Sequence, residues 1–195
     1  MKRAIVITTS EHTKDFLEAC IDSCLQNKYP VHVVCNGGFK FPDHLTAKYD
    51  GVRDYELVVS EVERNGFELG GIEVGANYYD EFIHLMDTCV VHDQKMFDMM
   101  FDEEGSVYLC RGFYSYLGKY RTDILKKVGV PQIDNKKDAI FHEHSWHTDY
   151  RRADPLAKPF QPELPVTTDV FEQKHGRNNM VIANSFITKW KGTWS

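Results

Sequence analysis

At 195 residues, with 42% hydrophobic, 13% aromatic and 27% charged side chains, the chain has the make-up of one soluble domain built on a single core. A formal net charge of −6 argues against a protein that works by coating nucleic acid, although the stretch from Lys174 to Ser195 carries Lys174, Arg177, Lys189 and Lys191 and no acid. The apolar run after the basic start, Ala4 to Ile7, is too short for a signal peptide or a membrane span, and five cysteines without a CxxC pair fit reduced, buried thiols, so the expected compartment is the cytoplasm.

In chain order, RAIVITTS (3–10) reads as a short strand ending in three hydroxyl residues. A helix is expected over about 12–27, where Phe16, Leu17, Cys20, Ile21, Cys24 and Leu25 make one apolar stripe and Ser10 is placed to cap it. VHVVCNGG gives a second strand closing on an Asn-Gly-Gly turn, and YELVVSE a third. Strand, helix, strand with short connections predicts an α/β fold: one domain over 1–195 with a mostly parallel central sheet flanked by helices. The segment FELGGIEVGANYY, with three glycines in six residues, predicts a poor independent helix; it suits either a backbone that approaches a ligand closely or a loop with a short helical turn. Phe82 to Val91, FIHLMDTCVV, reads as the central strand, and 94–101 as a helix rich in Met and Phe. VYLCRGFYSYLGKY predicts an aromatic strand leading into a short helix, RTDILKKVGV, stopped by Gly129 and Pro131. DAIFHEHSWHTDY predicts a helix lined with histidines, and the four prolines within 154–168 an irregular connection.

In an open α/β sheet, ligands sit outside the carboxyl ends of the strands, which nominates Thr8–Thr9–Ser10, Asn36–Gly37–Gly38 and the region of Asp87. Neither GxxxxGK[ST] nor a GxGxxG after the first strand is present, so a nucleotide would not be held by those devices. Asp87 lies inside an apolar run, where an ionised carboxylate requires a partner. Two partners are open: a hard divalent cation that bridges the carboxylate to phosphates, or the backbone N–H groups of a turn beside Thr88. His142, Glu143, His144 and His147 resemble a zinc-hydrolase helix, but HExxH needs a histidine at 146 and Trp146 stands there.

LMDTCVVHDQKMFD resembles the metal-binding strand and following helix of GT-A-type nucleotide-sugar glycosyltransferases. RAIVITTS is similar to their nucleotide-side strand, FELGGIEVGAN to the glycine-rich segment before the metal strand, and EQKHGRNNMVIANSFITKWKGTW to a C-terminal element whose histidine completes the metal site. The resemblance implies a nucleotide-side half over about 1–93 and an acceptor-side half over about 94–195. It implies a divalent cation, Mn²⁺ or Mg²⁺, held by Asp87 and His175, with Arg177, Lys191 and Lys189 on the diphosphate. Thr8, Thr9 and Ser10 would meet the nucleoside, with Glu68 and the Gly70–Gly71 pair over the donor. Glu143, or failing it Asp149, would take the acceptor proton in an inverting transfer, and Trp146, Tyr114 and Tyr116 would offer faces to sugar rings. The acceptor would be a hydroxyl of a glycan, a small molecule or a hydroxylated DNA base. One departure stands out, for Cys89 occupies the position where a full DXD motif has its second acid. That departure supports a second reading, a protein that keeps the fold and binds nucleotide sugar without turnover.

Overall fold

The computed structural model describes residues 1–50, 56–109, 117–133, 135–160, 174–175, 178–183 and 186–191. For Ile140, Glu143, His144, Lys174, His175, residues 178–183, Trp190 and Lys191 it describes the backbone alone. β1 (Arg3–Thr9) leads through a 3₁₀ turn (Lys14–Phe16) into α1 (Leu17–Leu25), then β2 (Val31–Asn36), α2 (Asp43–Tyr49), β3 (Leu57–Val62) and α3 (Phe67–Tyr78). β4 (Glu81–Met86) and β5 (Cys89–Val91) follow, then α4 (Lys95–Phe101), β6 (Val107–Tyr108), β7 (Gly118–Arg121), α5 (Thr122–Val128), α6 (Lys136–Ala153) and β8 (Lys158–Pro159). The chain continues with β9 (Lys174–His175), β10 (Asn178–Ala183) and β11 (Ile187–Lys191).

The main sheet has the order β3-β2-β1-β4-β7-β6-β8. β3, β2, β1 and β4 run parallel, while β7 is antiparallel to both β4 and β6. β1, β2 and β4 are buried almost end to end, as parallel strands covered on both faces must be. A second, antiparallel sheet, β5-β11-β10-β9, carries the C-terminal strands to the end of β4. Among the described residues no helix is long and apolar enough to cross a membrane.

The apolar run Phe82–Val91 is not one strand. It breaks at Asp87 and Thr88: β4 stays in the main sheet and β5 joins the second. The glycine-rich segment forms α3, a 12-residue helix, because its glycines let the helix lie close on the sheet. A side chain on Gly75 would meet the Phe82 ring at 2.7 Å, and one on Gly70 would meet Asn36 Oδ1 at 2.6 Å. Packing supplies what propensity lacks. Gly37 and Gly38, at φ 69° and 73°, make the expected turn after β2. The helix expected from residue 12 starts later, at Leu17, and Ser10 does not cap it; the Thr13 hydroxyl is used elsewhere. α6 is capped by Asn135, whose Oδ1 accepts from the Lys137 and Asp138 N–H groups.

Candidate functional site

β1 and β4 pair in parallel with Thr8 opposite Met86, so Thr9 and Asp87 meet at the carboxyl end of the ladder. The Asp87 N–H donates to the Thr8 carbonyl at 3.0 Å. The Asp87 side chain is wholly buried, and its Oδ2 accepts from Thr9 Oγ1 at 2.6 Å and from Thr13 Oγ1 at 2.5 Å. Among the described residues its Oδ1 accepts no hydrogen bond. Burial pushes the carboxyl up to about 7, against the Thr13 and Thr9 hydroxyls, the charge of Lys189 and the nearby Thr88 N–H, all of which favour the anion. The direct donors to Asp87 are two hydroxyls, from the end of β1 and the loop beyond it, rather than turn amides.

A second buried acceptor lies two strands away. Asn36 ends β2 at 2% exposure, and its Nδ2 donates to the Phe67 carbonyl at 2.6 Å, while its Oδ1 has no hydrogen-bond partner among the described residues. That bond ties β2 to the start of α3, where Phe67 is held at φ 47° (an uncommon backbone for a bulky residue). Asn36 and Asp87 thus end the strands on either side of β1, with Asn36 Oδ1 turned under Gly70 of α3 and Asp87 turned to the face of Thr9.

The other sequence candidates separate. Thr9 serves Asp87, and Ser10, half-buried at the lip, lies 3.3 Å from Thr13 Oγ1. Thr8 points to the other face of the sheet, where its hydroxyl pairs with His84 Nε2 at 2.7 Å beneath Gly71. Thr8 and Gly71 both belong to the contact of α3 with the sheet. Glu68 is half-buried in the first turn of α3, where a carboxylate suits the helix N-terminus. Asp149 is exposed on α6, 3.7 Å from Arg152 Nη1, in an open groove of about 430 Å³ with Val128, Pro131, Phe141, His142 and Trp146. No residue of β1, β2 or β4 lines that groove, so Asp149 is not brought to Asp87. Trp146 is core rather than a sugar platform: it is 6% exposed, stacks on Tyr120 and donates Nε1–H to the Gly129 carbonyl at 2.5 Å. Tyr114, Tyr116 and Arg177 lie outside the described residues, as do the side chains of Glu143, His175 and Lys191. The sheet order puts the backbone of His175, on β9, at the edge of the second sheet farthest from Cys89.

The described donor set does not suit a divalent cation. Among the described residues no three His, Cys, Asp or Glu side chains converge on one point. Cys89 offers a buried thiol where a second carboxylate would be needed by a hard ion. Lys189 also stands at this end of the sheet: it pairs with Cys89 across β5 and β11, is 3% exposed, and donates to Thr88 Oγ1 at 3.1 Å.

No protein-family model and no curated protein matches the sequence. Solved structures do match the fold. Staphylococcus aureus TarS 1–349 in complex with UDP matches at 13% identity and a TM-score of 0.60, over 84% of this chain and 59% of TarS 1–349. The same protein with UDP-GlcNAc matches at 12% identity and a TM-score of 0.60, over 84% of this chain and 57% of that one. The mannosyltransferase PcManGT of Pyrobaculum calidifontis, in complex with GDP-Man and Mn²⁺, matches at 11% and 0.55, over 66% of this chain and 47% of PcManGT. The fold is of the GT-A type. The chain spans little more than half the length of the TarS 1–349 structures and about half of PcManGT. In this GT-A-type sheet, the end of β1 flanked by Asn36 and Asp87 is the end at which an open α/β sheet takes a ligand. Sequence reasoning named the Asn36 turn as a location but missed the part played by its amide; an Asn ending a buried strand before Gly-Gly was the available signal.

Proposed function

We propose that this chain binds a nucleoside-diphosphate sugar at the carboxyl ends of β1, β2 and β4 and transfers the sugar to an acceptor hydroxyl. The observation that carries the reading is Asp87 at the carboxyl end of β1 and β4, a wholly buried carboxylate whose Oδ1 accepts no hydrogen bond among the described residues. A buried acceptor without a donor costs about 1–3 kcal/mol. Ribose hydroxyls and base N–H groups are donors of the kind that would relieve it. In the transfer, the acceptor oxygen forms a bond to the anomeric carbon as the bond from that carbon to the diphosphate oxygen breaks. The electron pair leaves with the diphosphate, and the acceptor proton passes to a base.

The base we assign is Glu143 on α6, which makes the transfer inverting; Asp149 sits in the outer groove with Arg152. The fold supports the nucleotide-sugar class through TarS with UDP-GlcNAc and PcManGT with GDP-Man. The net charge of −6 favours a glycan or small-molecule acceptor over DNA. A thermal-shift screen against UDP, GDP and their sugars tests the donor site, since a ligand bound at 100 times its Kd stabilises the fold by about 2.7 kcal/mol. Release of nucleotide from the stabilising sugar donor then separates a transferase from a protein that only binds, the reading that Cys89 supports. A folded Glu143→Gln variant that bound donor yet turned over at the wild-type rate would remove Glu143 from the mechanism.

A further inference from the structure

The two oxygens of Asp87 are not equivalent, and a loop residue makes the difference. We propose that Thr13 is a positioning residue of the donor site: it fixes the Asp87 carboxylate so that Oδ2 is engaged by the protein and Oδ1 is the oxygen that meets the ligand. The inference rests on the donor reading above and adds the residue that sets how Asp87 is presented.

Three observations carry it. First, two hydroxyls converge on one oxygen. Thr9 Oγ1 lies 2.6 Å and Thr13 Oγ1 2.5 Å from Oδ2, whereas Oδ1 accepts no hydrogen bond among the described residues. Each oxygen of an ionised carboxylate has two acceptor sites, so the two hydroxyls fill Oδ2. An acid kept only for packing would have its donors divided between both oxygens, since a bare buried acceptor costs stability. Second, Thr9, Thr13 and Asp87 are all buried. A carboxylate enclosed in this way and held by two short charge-assisted bonds does not turn as one in water does. Third, Thr13 is itself fixed. Its N–H donates to the Ser10 carbonyl at 3.1 Å, and its carbonyl accepts from the Phe16 N–H at 3.0 Å, where the 3₁₀ turn leads into α1.

The direction of the contacts follows from counting protons. Thr13 has one hydroxyl proton and gives it to Asp87, so in the 3.3 Å contact with Ser10 Oγ the Ser10 hydroxyl is the donor. The half-buried Ser10 at the lip is thereby joined through Thr13 to the carboxylate inside. Asp87 then takes a donor from the ligand on one oxygen only: a base N–H or a ribose hydroxyl.

Calorimetric titration of wild type, Thr13→Val and Thr13→Ser with UDP and with GDP tests the proposal, with the folding of each variant checked by thermal unfolding. Valine keeps the shape and removes the hydroxyl, so Thr13→Val should weaken nucleotide binding about tenfold or more, the order of one hydrogen bond to a charged group. Serine keeps the hydroxyl, and Thr13→Ser should bind within about threefold of wild type. A folded Thr13→Val variant that binds as wild type does overturns the positioning role and leaves the donor site standing. So does a Thr13→Ser variant as weak as Thr13→Val, which would assign the loss to the missing methyl and so to packing. If neither nucleotide binds the wild type, the donor reading itself fails and takes this inference with it. Should Thr13→Val not fold, Thr9→Val removes the other donor to the same oxygen and is read in the same way.

Discussion

Gly71→Ala distinguishes a glycine that packs from one that meets a ligand. The added methyl would fall on Thr8 Oγ1 and lie 3.1 Å from both Thr8 Cβ and His84 Nε2. Either α3 lifts from the sheet or the Thr8 hydroxyl gives up its 2.7 Å contact with the buried His84. Overpacking a core site costs about 1–3 kcal/mol, and the disturbed buried hydrogen bond about 1–3 more. Replacing a helical glycine by alanine returns about 1 kcal/mol. The net is a loss of about 1–5 kcal/mol, which lowers the melting temperature of a domain this size by about 2–20 °C. Thr8→Ala removes the oxygen in the way, so the double variant should be more stable than the two single losses predict, by about 1 kcal/mol or more. The assay is a denaturant-unfolding cycle on the four proteins, with nucleotide titration of those that fold. Unchanged stability with lost nucleotide binding in Gly71→Ala would refute the packing argument and return Gly71 to the donor site.

Gly75→Ala should destabilise by about 1–3 kcal/mol, because its methyl meets the ring of the fully buried Phe82 at 2.7 Å; equal unfolding midpoints would count against it. His32 is buried between Ser60 and Tyr79, and burial lowers its pKa to about 4 from the usual 6.5. It stays neutral in the folded chain while the unfolded chain takes up a proton below pH 6.5, so stability is lost as pH falls from 6.5 to 4, by up to about 3 kcal/mol. A His32→Leu variant whose stability shows the same slope across that window would contradict the assignment. Lys119 is buried against Glu81 at 3.5 Å and also donates to the Glu103 carbonyl, while Glu81 is held by Arg3 at 3.0 Å. Glu81→Gln should therefore cost about 3–5 kcal/mol by removing the charge that balances a buried ammonium; a loss below 1 kcal/mol in urea unfolding would show that solvent reaches it.

The parallel half of the fold was legible because its signals are local. Ile5, Val6 and Ile7, then Val31, Val33 and Val34, are continuous apolar runs between turn residues, and they became β1 and β2. The helix expected over 138–150 is the interior of α6, which starts earlier, at Lys136 behind its cap Asn135, and runs on to Ala153. The break at Asp87 was not legible as a break: Cys89–Val91 is as apolar as β4, and only pairing with β11, some hundred residues away, turns it into another sheet. The length of α3 was hidden for the opposite reason. Its glycines argue against a helix until Thr8, Asn36 and Phe82 are set beneath them. α2 has a single buried residue, Leu45, and so no stripe to read. At the site, the carboxylate was apparent from its apolar surroundings, whereas Thr13 and Lys189 reach it only through the fold.

Amide chemical-shift mapping with UDP and with GDP tests the central claim most directly. The account predicts that at least one of the two perturbs Thr9, Asn36, Asp87 and Thr88 together, at the carboxyl ends of β1, β2 and β4. Perturbations confined to the groove between α5 and α6, around Phe141 and Asp149, or none with either nucleotide, would contradict it.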